Sequence, residues 1–119
     1  MVVVTDVAAQ FKLENKISDK QISDTNAEYL IDQAVNYVNL VAGTSIANIS
    51  ANDLTATAGE LTVVRSLSGL LFRAYLDKGS GAVAGLTVTA VVSDPHYKVF
   101  MKMFNQGLKH LRGRSFERA

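Results

Sequence analysis

Cysteine and tryptophan are absent from this 119-residue chain, and proline occurs once. Without cysteine there is no disulfide framework, no thiolate zinc site and no cysteine nucleophile. No apolar run approaches the roughly 20 residues that a membrane-spanning helix requires. The first residues, Met1-Val2-Val3-Val4-Thr5-Asp6, carry no basic leader and meet an acid at once, which is unlike a secretory signal. A cytoplasmic protein with no membrane partner is therefore expected. Charged residues make up 19% of the chain against 48% hydrophobic, a balance that excludes disorder and predicts one ordinary domain over residues 1–119.

The net charge of +1 hides a division at Pro95. The residues before it carry six basic against ten acidic side chains, a net of −4, whereas those from Pro95 onward carry six basic against Glu117 alone, a net of +5. Such polarity suits self-association of unlike surfaces, or an acidic partner at one end.

Periodicity predicts a mainly α protein, a small bundle of about four helices. The first is short, from Thr5 as N-cap to Leu13, with Val4, Val7, Ala8 and Phe11 at helical spacing. A polar stretch from Glu14 to Asp24 follows, with Ser-Asp turn formers. The second helix is predicted from a capping box, Thr25-Asn26-Ala27-Glu28, to Gly43 as its C-terminal stop, with Ala27, Leu30, Ile31, Ala34, Val35, Val38, Val41 and Ala42 on one stripe. Thr44 to Leu54 reads as a loop pinned by Ile46 and Ile49. A second capping box, Thr57-Ala58-Gly59-Glu60, opens a broad apolar helix running to Lys78, expected to be the most buried. The last helix starts at Asp94 as N-cap with Pro95 at its first position, turns Tyr97, Phe100, Met101, Phe104, Leu108 and Leu111 inward, and ends near Gly113. Residues 113–119 are expected as a mobile basic tail.

Between the third and last helices the pattern changes. Gly79, Gly81 and Gly85 mark a glycine-rich arm, and Leu86, Val88, Ala90 and Val92 alternate with Thr87, Thr89 and Val91. High β-branched content and alternation predict one short strand, or a hairpin with Ala82 to Ala84, before the last helix. A lone strand leaves backbone groups that must find partners. Val2 to Val4 is one candidate, and strand addition from another subunit is the other.

Catalytic and metal chemistry find little to work with. His96 and His110 sit at opposite ends of one helix, roughly 21 Å apart, too far to share a metal. The glycine run follows a helix and opens a strand, the reverse of a dinucleotide fingerprint. No P-loop, nucleophile elbow or suggestive acid pair is present. The expectation is a protein that is not an enzyme, with no metal and no cofactor. Lys98, Lys102, Asn105, Lys109 and Arg112 fall on one narrow polar stripe, which would suit a solvated face, nucleic-acid phosphates or the acidic part of a neighbouring copy.

This order of parts resembles the head-tail connector, or adaptor, proteins of tailed bacteriophages and proviruses: a short first helix, an acidic turn, a capped helix, a hydrophobic helix, a Gly-rich segment and a final basic helix. The resemblance is one of length and element order over most of the chain, and the single proline departs from relatives with a proline-marked entry to the hydrophobic helix. It implies a ring, often of twelve copies, between the portal protein and a tail or stopper protein, in the virion after assembly in the host cytoplasm, with DNA passing through the channel. By segment, Gly79, Gly81, Gly85, Leu86, Val88 and Val92 would make subunit or channel contacts. Lys98, Lys102, Lys109, Arg112, Arg114 and Arg118 would meet the portal or another acidic partner. The competing expectation is a small helical nucleic-acid-binding or regulatory domain that uses the basic face of the last helix.

Overall fold

Apolar stripes with capped ends produce five α-helices among the described residues, joined by a small sheet. The structure is a computed structural model and describes residues 2–50, 53–78 and 88–118. Helix α1 spans Val7–Glu14 and α2 Asp24–Ala42; α3 spans Ala58–Lys78, α4 Val88–Val92 and α5 Lys98–Arg118. The mainly α bundle expected from periodicity is what forms, with α2 and α5 packed on α3 and with α1 lying on α2.

Helix α3 is central because its apolar stripe is wide. Val64, Leu67, Leu71, Phe72 and Ala74 are each 0% exposed. Each large aliphatic side chain so buried contributes roughly 1.5–3 kcal/mol before conformational entropy is deducted. Its N-terminus is the predicted capping box: the Thr57 N–H donates to Glu60 Oε1 at 2.8 Å, and the Glu60 N–H donates to Thr57 Oγ1 at 3.2 Å. The capping box predicted at Thr25 does not form. Helix α2 begins two residues earlier, and Ser23 Oγ takes the Asn26 N–H at 3.2 Å instead. Similarly, α1 is entered from Asp6, in the left-handed region at φ 48°, and not from Thr5. Gly43, at φ 68°, ends α2 as expected.

The segment expected as a loop after Gly43 contains two strands, β2 (Ala47–Ser50) and β3 (Asp53–Ala56). Val2–Val4 forms β1, and the sheet order is β1-β3-β2 with both pairs antiparallel. Val4 opposes Leu54 and Val3 opposes Thr55. Leu54 and Ala56 point into the core, which is why β3 lies on the bundle. Asn39 directs the chain into this sheet: its Oδ1 accepts from the Ile46 N–H at 2.9 Å and its Nδ2 donates to the Ile46 carbonyl at 3.1 Å.

The strand predicted over Leu86 to Val92 is overturned for the residues described there. Val88–Val92 is helical. Val88 and Val91, three apart, are 8% and 1% exposed and face α3 and α2, while Thr89 and Ala90 are exposed. Alternation would have left Val91 on the polar side. The helical arrangement buries it, and this packing outweighs a β-propensity that is a weak, context-dependent preference. The carbonyls of this helix are met locally at the C-terminal end, where the Ser93 N–H reaches the Thr89 carbonyl and the Asp94 N–H the Val91 carbonyl, each at 3.2 Å. Val2–Val4, the partner expected within the chain, pairs with β3 instead. The expected arm residues Gly79, Gly81, Gly85 and Leu86 lie outside the described residues.

Helix α5 also differs from expectation at its end, running through Gly113 to Arg118. One interior glycine costs a helix roughly 1 kcal/mol, too little to stop one whose following residues are ordinary helix formers. No described helix is long and apolar enough to cross a membrane.

Candidate interaction surface

The last helix is set on the bundle by its first turn. Asp94 Oδ1 accepts from the His96 N–H at 2.9 Å, the predicted cap, and Pro95–Tyr97 forms a 3₁₀ turn leading into α5. Tyr97, Met101, Phe104, Leu108 and Leu111 are buried as predicted. Gly107 lets α5 approach α3 closely, because a Cβ there would lie 3.0 Å from Val63 Cγ2.

A polar clamp, not anticipated from sequence, joins this turn to the end of α3. The Tyr97 hydroxyl donates to Asp77 Oδ2 at 2.8 Å, and His96 Nε2 lies 3.8 Å from the same oxygen. The His96 ring meets Tyr97 edge-on, with centroids 4.8 Å apart. Burial first, then the bond to Asp77 and its charge, pushes the Tyr97 pKa up to about 12. The phenol therefore stays protonated at neutral pH and acts as a fastener between the elements that flank residues 79–94.

With α5 anchored, its basic face is fixed in orientation. Lys98, Lys102, Asn105 and Lys109 are all exposed. At 1.5 Å per residue the three lysines extend over about 17 Å of one flank. Among the described residues none forms an ion pair with Lys98, Lys102 or Lys109. Arg112, Arg114 and Arg118 occupy the final turns of the same helix.

Beside the first two lysines lies a groove of about 620 Å³, between the end of α4, the 3₁₀ turn and α5. Val92, Pro95 and Met101 supply apolar surface, and Lys98, Lys102 and Asn105 the polar wall. Asp94, the acid lining it, is engaged in capping the turn. The arrangement can hold an apolar group and attract carboxylates beside it. Of the residues expected to make subunit contacts, Val88 is buried in the core and Val92 is half-buried in this groove.

A second polar centre was also missed. Lys12 is 3% exposed, and its ammonium donates to Asp19 Oδ1 at 2.5 Å, Asp24 Oδ1 at 2.6 Å and the Ile22 carbonyl at 2.9 Å. Burial is the largest single influence and pulls its pKa down, but the bonds and charges of Asp19 and Asp24 together outweigh it and leave the value raised. This centre organises the polar stretch between α1 and α2. Lys12 follows Ala8 by four residues, on the apolar side of α1, and that spacing was the available signal.

No family model, curated protein or solved structure matches the chain.

Proposed function

We propose that this protein is a non-enzymatic virion assembly protein, a head-tail connector that joins a portal to a tail or stopper component. The observation that carries the reading is the row of exposed lysines on α5, with no ion-pair partner among the described residues, beside an apolar groove. A charged, pre-oriented surface on a rigid bundle suits docking of an acidic protein surface, and the likeness in length and helix order to connectors narrows the class. The strand arm has no part in this reading, because residues 88–92 are helical. Portal docking falls to the end of α5, where Arg112, Arg114 and Arg118 lie, and the channel DNA is met without sequence specificity.

The test is coexpression with the portal protein encoded by the same genome, followed by size exclusion. Co-elution as one complex is the expected result. Absence of a complex, together with tight binding to a mixed-sequence duplex that falls steeply with salt, would replace the connector with a nucleic-acid-binding protein.

A further inference from the structure

We infer that the groove beside Lys98 and Lys102 is a docking site for a segment of a different protein, one in which an apolar side chain is flanked by two carboxylates. The inference rests on the assembly reading above and names the chemistry of the partner that this surface receives.

The chain has few carboxylates left to offer a second copy of itself. Glu14 is ion-paired with Arg65, Asp19 and Asp24 hold the Lys12 ammonium, and Asp77 takes the Tyr97 hydroxyl. Asp53, Glu60 and Asp94 each accept a backbone N–H. Seven of the ten acids ahead of Pro95 are thus engaged within the fold. Asp6 and Asp32 also have interactions within the chain. Glu28, beside the exposed Tyr29, would have to act alone.

The groove calls for more than one carboxylate. Lys98 and Lys102 are exposed on its wall, with no ion-pair partner among the described residues. They stand about 6 Å apart along α5. Carboxylates at that spacing lie one turn apart on a helix or two residues apart on an extended segment. Val92, Pro95 and Met101 supply the apolar part of the lining. At about 620 Å³ the groove is of the size that takes a drug-sized molecule, which corresponds to a few residues of a peptide.

Duplex DNA fits this part of α5 less well. A phosphate backbone is charged at every step and has no apolar side chain to set against Val92 and Pro95. A peptide places carbon and carboxylate side by side, so that burial of the apolar side chain supplies affinity and the two lysines supply orientation.

Panning a displayed library of random peptides on the full chain tests this without presupposing a partner. Selected sequences are expected to share a large apolar residue with two Asp or Glu within about four positions of it, the reach set by one helical turn. By fluorescence anisotropy, Lys98→Glu with Lys102→Glu is expected to weaken a selected peptide about tenfold or more, and Val92→Ala several-fold. Lys20→Glu reverses a charge at an exposed position outside the groove and is expected to leave the affinity unchanged. Circular dichroism checks that each variant is folded.

The site is overturned by a panning that enriches nothing, by selected peptides that lack carboxylates or bind the double variant as tightly, or by an equal loss in Lys20→Glu. Mixed-sequence duplex that displaces the peptide and binds more tightly through the same two lysines overturns it in favour of nucleic acid. Self-association of the chain that the double variant abolishes overturns it in favour of a second copy. A portal complex that survives Lys98→Glu with Lys102→Glu sinks this site and leaves the connector reading standing. Peptides selected and lost as expected, with no portal complex, do the reverse.

Discussion

Replacing Lys12 by methionine tests the physical basis of the turn between α1 and α2. The change keeps an unbranched side chain in the site and removes the ammonium with its three hydrogen bonds. Asp19 is 87% exposed and Asp24 60%, so both carboxylates rehydrate readily, and each ion pair contributes at most about 1 kcal/mol. The Ile22 carbonyl is different, because its bond to Lys12 is buried, and a buried acceptor left without a donor costs about 1–3 kcal/mol. Relief of the ammonium's desolvation offsets part of this. The expected net loss is about 1–3 kcal/mol. Thermal unfolding should show it as a Tm lower by roughly 4–12 °C, scaled between small and medium domains. Asp19→Asn should cost under about 1 kcal/mol. The raised Lys12 pKa fixes the pH dependence: a cation bound more tightly when folded stabilises fully below the unfolded lysine pKa and loses that contribution as pH rises through the folded value. The gap between wild type and Lys12→Met should therefore hold from neutral pH to about 10 and narrow above it. A methionine variant as stable as the wild type, or more so, would refute the reasoning and show that ammonium desolvation outweighs its bonds.

Further expectations concern the core and the clamp. Ser68 is 0% exposed and its hydroxyl has no hydrogen-bond partner among the described residues, so Ser68→Ala should leave stability unchanged or raise it by up to about 1 kcal/mol in urea titration. Thr57→Ala removes one half of the capping box and should cost about 1 kcal/mol by the same measurement. Gly107→Val places branches where a Cβ alone already approaches Val63 to 3.0 Å, and overpacking should lower stability by about 1–3 kcal/mol. Tyr97 binds its proton more tightly when folded, so its contribution is present below about pH 10 and fades as pH rises toward 12; Tyr97→Phe should abolish that part of the alkaline loss, read by spectroscopic titration of the phenol.

The helices were legible in the sequence wherever a long apolar stripe met a strong stop or start. Leu61 to Tyr75 form one broad apolar stripe, and Asp94 with Pro95 marked the start of the 3₁₀ turn that leads into α5. Short elements were less legible, because few residues vote. In the segment after Gly43, two inward residues, Leu54 and Ala56, are all that distinguish β3 from a polar loop, and its pairing with Val2–Val4 depends on a partner fifty residues away. The cap of α2 had two chemically sound candidates two residues apart, Ser23 and Thr25. Lys12 holds the chain ahead of Ser23 through Ile22 and Asp24, a tertiary effect that local capping rules do not contain.

The interaction surface divides along the same line. The lysine stripe follows from 100° per residue and needed no tertiary knowledge, so Lys98, Lys102 and Lys109 stand exposed as the spacing predicts. The groove beside them could not be read locally, because Val92 lines it only after α4 has folded back on α3 through Val88 and Val91. A strand reading of those same residues directs attention to backbone pairing and away from side chains. With Val88–Val92 helical, the proposed assembly is better served by apolar contact guided by charge than by strand pairing there. Assembly through this surface should then weaken with salt and respond to side-chain substitution on α5. Pairing between strands would be largely indifferent to both.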